Sequence, residues 1–225
     1  MGAPIHTPMA RRPMTTEFLT LTQLLSPAFP VGAFAYSHGL EAAVEAGEIV
    51  DAATLADWLL DLVEMGGARA DAVLLSVAYH TPRDGLGNLD TQARAFAASA
   101  ERLKETDLQG AAFCDTVRAV WDVDVEGLCY PVAVGRVARL MGLDLEQVLA
   151  VFLHAFVANL TAAAIRLMPI GQVDGQRVQT ALMGQCATLA GTMKTAELDE
   201  LYSNTWASDI ASMRHETQYS RIFRT

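Results

Sequence analysis

Lysine is nearly missing from this sequence: only Lys104 and Lys194 occur, and the remaining positive charge is arginine, sparse until the last dozen residues. Acidic residues number 26 against 16 Lys plus Arg, a formal net charge of -10. A nucleic-acid binder needs a basic surface to displace counterions from phosphates, and nothing here supplies one. Cysteine is as scarce. Cys114, Cys129 and Cys186 are odd in number, far apart and form no CxxC, which excludes a disulfide framework and a zinc site of ordinary spacing. They read as small buried hydrophobes in a reducing compartment. No P-loop, GxSxG, HExxH or GxGxxG is present, so no nucleotide, hydrolase or metalloprotease site can be assigned. Asp122 to Gly127 begins like an EF-hand loop but fails, because Ala133 stands where the bidentate Glu belongs. No two of the five histidines fall at a ligand-pair spacing, so no metal site and no cofactor is expected. The first residues lack the apolar stretch of a signal peptide; with Pro4, Pro8 and Pro13, residues 1–14 read as a disordered lead-in.

What is abundant is alanine and leucine, in a chain that is 52% hydrophobic and 19% charged. That composition favours helices with a substantial core. Helical periodicity runs almost throughout. A first helix follows Thr15-Thr16 and stops at Ser26-Pro27-Ala28-Phe29-Pro30. A second runs from near Ser37 to Gly47, a third from Asp51 to Glu64, and a fourth from Ala68 to His80. Asp90 to Trp121 reads as helix divided near Gly110. Val132–Met141, Leu145–Leu167, Gln176–Gly191 and Thr205–Met213 complete the set, with Asp174-Gly175 read as a turn. Neither period-two strands nor an internal repeat is evident, and no linker is long enough to separate domains. The expectation is an all-α, single-domain bundle of about ten helices with short loops over residues 15–213, and a separate tail at 214–225. The apolar run Leu145–Leu167 could pass for a membrane span. It is interrupted by Glu146, Gln147, His154, Asn159 and Arg166, so it reads as the central helix of a soluble, cytoplasmic protein. Asp57, Asp61 and Glu64 share a helix face and read as a solvated acidic stripe.

Two segments ask for more than packing. Ser26 to Glu41, SPAFPVGAFAYSHGLE, joins a proline-glycine turn to Phe34 and Tyr36. Either these rings staple two helices together or they meet a partner. Ser212 to Thr225, SMRHETQYSRIFRT, gathers Arg214, His215, Tyr219, Arg221, Phe223 and Arg224. Tyr and Arg dominate interface hot spots, so this run reads as a partner-binding tail, mobile when alone; the alternative is a docked terminal helix.

These segments together resemble the urease accessory protein F (UreF) family. SPAFPVGAFAYSHGLE is similar to its N-terminal signature, with Phe29 where the family often has Leu. The stretch around Tyr130 to Gly135, the box NLTAAAIRLMPIGQVDGQ from Asn159 to Gln176, and SMRHETQYSRIFRT follow in family order. The resemblance implies a non-enzymatic, homodimeric adaptor. It would bind accessory protein D (also called H), recruit the GTPase G, and through that complex meet the urease apoprotein during GTP-dependent nickel insertion. The partner-binding residues it implies are Phe34, Tyr36, His38, Glu41, Arg214, His215, Glu216, Tyr219, Ser220, Arg221 and Phe223. Two alternatives stand beside it. One is a GTPase-activating protein supplying an arginine finger from Arg214, Arg221 or Arg224. The other is a helical pocket protein built on the apolar 145–167 core.

Overall fold

The computed structural model describes residues 16–224, so the lead-in expected at residues 1–14 lies outside the described residues. Ten α-helices follow one another with short connections, and no strand occurs among the described residues. They are α1 (Thr16–Leu24), α2 (Leu40–Glu45), α3 (Ala52–Met65), α4 (Gly67–His80), α5 (Leu86–Ala95), α6 (Ala100–Trp121), α7 (Tyr130–Leu140), α8 (Leu145–Leu167), α9 (Gln172–Met193) and α10 (Trp206–His215). The fold is all-α, as the composition and periodicity imply.

Local chemistry sets the helix starts. Asp51 accepts the Thr54 N–H at 2.9 Å while the Thr54 hydroxyl accepts the Asp51 N–H, a reciprocal cap that opens α3. Ser99 and Asp144 cap α6 and α8 through the N–H groups of Arg102 and Gln147. The axis of the bundle is α8, packed against α4, α9, α3 and α2, with Leu149, Leu153 and Leu160 fully buried. By length and composition α8 passes as a membrane span, but half of its most apolar stretch is buried inside the bundle. Asp57, Asp61 and Glu64 are exposed on α3, on the face opposite Leu55, Leu59 and Leu62.

Three boundaries differ from the sequence-based expectation. The break between α5 and α6 falls at residues 96–99 rather than at Gly110. Gly110 instead sits mid-helix, where a Cβ would lie 2.2 Å from the Leu128 carbonyl oxygen; it is glycine for close backbone approach. Asp174-Gly175 lies inside α9 rather than in a turn, since Gly175 packs under Ile165. The second helix begins at Leu40 rather than near Ser37. His38 and Gly39 both take positive φ, 55° and 77°, and turn the chain before it can wind. A Cβ on Gly39 would meet the Ser212 backbone nitrogen at 2.6 Å, so this turn fits only because it carries none.

Candidate partner-binding surface

The N-terminal signature splits its aromatics by role. Phe29 is buried, its ring 5.4 Å from Phe113 and 6.4 Å from Trp121, and so staples the end of α1 to α6. The following turn at Ala33–Ala35 is pinned to α8. Asn159 donates from Nδ2 to the Ala33 carbonyl at 3.0 Å, and Arg166 donates to the Phe34 carbonyl at 3.1 Å. With its backbone held this way, Phe34 points outward and is 71% exposed. Tyr36 turns inward; burial, and then Glu105, push its hydroxyl above the usual phenol range.

Behind this turn lies a charged cluster. His38 donates from Nε2 to Glu105 at 2.9 Å, Arg102 binds the other oxygen of Glu105, and Gln109 donates to the same carboxylate at 2.7 Å. Arg102 also reaches Asp71 at 3.6 Å. Burial opposes ionisation of Glu105, but Arg102 and His38 outweigh it and hold the acid at about 2. Burial, and then Arg102, lower the pKa of His38, against the pull of Glu105. Asp71 has only the longer contact to Arg102, and burial lifts it to about 6. Apolar side chains from the turn that follows α1, with Tyr130 of α7 and Phe152 and Phe156 of α8, line a cavity of about 210 Å³ beside the cluster.

The C-terminal segment is fastened at a second node. The ring of His215 is fully buried between two carboxylates, with Nδ1 2.7 Å from Glu101 and Nε2 3.2 Å from Glu41. The same two acids hold the chain beyond α10. Glu41 accepts the Ile222 N–H at 2.7 Å and the Phe223 N–H at 2.9 Å, and Glu101 accepts from Arg221. Arg224 donates its N–H to the Ala35 carbonyl at 2.8 Å, and Glu216 caps α6 by accepting the Ala100 N–H at 2.8 Å. The Phe223 ring is buried under Arg166, whose guanidinium lies 4.4 Å from the ring centre. Residues 216–224 thus form a strap that returns to the aromatic turn.

The chain matches known proteins over most of its length. The UreF family model matches residues 49–183. A urease accessory protein UreF of Roseobacter denitrificans is 50% identical over 222 residues, covering 98% of this chain and 99% of its own. That of Ruegeria sp. strain TM1040 is 54% identical over 214 residues, and that of Bradyrhizobium diazoefficiens 48% over 216, covering 94% and 89% of this chain and 100% and 88% of their own. The chain belongs to the UreF family.

In this UreF chain the residues singled out from sequence fall into two groups. Tyr36, Glu41, His215 and Phe223 are buried, and His38 is largely so; they build the surface from beneath. Phe34, Arg214, Glu216, Tyr219, Ser220 and Arg221 are exposed on it. The tail is not the free segment expected. Helix α10 continues to His215, and the strap docks, because Glu41 and Glu101 satisfy its donors and Phe223 fills a site under Arg166. Those bonds offset a backbone ordering cost on the order of 1–2 kcal/mol per residue. Sequence reasoning missed Asp71, Glu101, Arg102 and Glu105. Glu101 and Glu105 share a face of α6 at i, i+4, a like-charge spacing that is unfavourable unless cations intervene, and this was the available signal. No group of three His, Cys, Asp or Glu residues among those described is placed to hold a metal ion. All three cysteines are buried free thiols, and burial pushes Cys129 up to about 12.

Proposed function

We propose that this chain is a non-catalytic adaptor of urease maturation, working in the cytoplasm. It binds accessory protein D/H, recruits the GTPase G, and reaches the urease apoprotein through that complex for GTP-dependent nickel insertion. The observation that supports this most is the pairing of the two family segments. The turn that carries Phe34 and the strap that carries Tyr219 and Ile222 are hydrogen-bonded to each other, and all three side chains point outward. Exposed aromatic and aliphatic groups on a braced backbone suit recognition rather than catalysis. An arginine-finger role is less well supported: Arg221 is bound to Glu101 and to the His215 carbonyl and Arg214 lies 3.7 Å from Glu48, which leaves Arg224 as the one candidate of the three without a carboxylate partner among the described residues.

Mixing the purified chain with D/H and G and measuring the mass of what co-elutes tests the reading. Co-elution of both partners, with GTP turnover by G slowed or unchanged, is the expected result. Failure to hold either partner rejects it. Acceleration of turnover by orders of magnitude would favour the arginine finger instead.

A further inference from the structure

The strap and α6 enclose a groove of about 280 Å³ whose chemistry runs against that of the rest of the molecule. Its sides are Lys104 and Leu108 from α6 and Arg221, Phe223 and Arg224 from the strap, over Tyr36. Lys104 and Leu108 stand at i, i+4, so one helix face presents an ammonium beside an aliphatic surface that is 45% exposed. The acid in the groove, Glu101, is occupied by His215 and Arg221. Among the described residues no carboxylate pairs with Lys104 or Arg224, nor with Arg166, which lies over Phe223 and extends the positive edge toward Phe34. A protein of net charge -10 has therefore gathered unneutralised cations around an apolar cleft. Surface cations without partners cost little in stability, so their position is open to use in binding.

The geometry points to an acidic, leucine- or phenylalanine-bearing segment of a partner protein as the occupant of this groove. Its carboxylates meet Lys104 and Arg224, and its apolar side chain lies against Leu108, the exposed apolar side chain of the groove. The charge complementarity is local. The net acidic charge of the protein disfavours such a segment at long range, while these cations attract it to the groove. A phosphate polyanion would satisfy the cations but leave Leu108 without a contact. This inference rests on the adaptor role proposed above and names the chemistry of its partner.

Two assays on the full chain separate the two readings. In the first, a fluorescein-labelled peptide of alternating Glu and Leu is titrated by anisotropy, with a polyphosphate of equal charge as competitor. Binding that weakens with salt, drops at least tenfold in Lys104→Glu and weakens in Leu108→Ser is expected. Lys194→Glu, the same charge change at the other lysine, should bind as the parent does. In the second, each variant is mixed with D/H and G. Helicity of every variant is checked by circular dichroism. Absence of peptide binding, indifference to Lys104→Glu, or full displacement by polyphosphate overturns the inference. Should the parent capture D/H and G and Lys104→Glu capture them equally, the adaptor role stands and the groove does not serve it. Should the parent capture neither partner, the adaptor role falls while the peptide assay still decides the groove.

Discussion

Asp71 and Glu105 face the same arginine and titrate in opposite senses. Asp71 is lifted from 3.8 to about 6, so the stability linked to its neutral form is complete below about pH 4 and is lost as pH rises through 6. Glu105 is depressed from 4.5 to about 2, so its contribution is present above pH 4.5 and is lost as pH falls toward 2. Replacing Asp71 with Asn should therefore raise stability at pH 8 by roughly 1–2 kcal/mol, a figure reduced for the partial solvent access of that side chain. The advantage should vanish near pH 4, and thermal melts of both proteins across pH 4–8 check this. Glu105→Gln is expected to do the reverse and cost about 3–5 kcal/mol at neutral pH, because Arg102 keeps its charge in a buried site without its main counter-ion. Unchanged melting of Glu105→Gln at pH 7 would show that the cluster is better solvated than its geometry indicates.

At the scale of the element, the strap and α10 are separable in experiment. Ending the chain after Met213 removes His215 and the strap, leaving Glu41 and Glu101 without the groups that hydrogen-bond to them, so that protein should melt at lower temperature as well as lose its surface. Ending it after Gln218 keeps His215 and removes Tyr219, Arg221 and Phe223. Helicity should persist while capture of D/H disappears, and normal capture by this shorter chain would mean that the strap is not the contact. Phe34→Ala should leave helicity and melting intact and weaken recruitment of G, as suits a side chain that is 71% exposed. The helices themselves were legible in the sequence. Their apolar periodicity and the Pro27-Pro30 breaker act within a few residues, whereas the break before Ser99 was misplaced at Gly110, a glycine kept for close packing rather than for a turn. The docking of the strap was not legible. It depends on Glu41 and Glu101, which lie 181 and 120 residues away from the groups they hold, and a net acidic composition gives no hint that either carboxylate is buried. His38 stood out in sequence, but its partners did not. Burial of a charge is decided by which helices pack together, not by the residues beside it.

For the whole molecule, a homodimer is expected at least within the assembled complex. Sedimentation with D/H bound should show two copies of this chain, and a strict single-copy complex at micromolar concentration would refute it. Chelator should leave the melting temperature unchanged, since no structural metal is expected; a large fall in EDTA would reveal one. The clasp of His215 by Glu41 and Glu101 also bears on how the surface comes into being. Glu41 is translated 181 residues before Ile222. At ordinary elongation rates of about 5–20 residues per second, Glu41 waits roughly 10–40 s for the imidazole and the strap that complete it. The strap therefore docks only after the bundle beneath it has been synthesised. If the strap serves the adaptor role proposed above, a chain terminated before Ile222 would carry every core helix and still lack its contact, so binding competence would report that translation has passed Phe223.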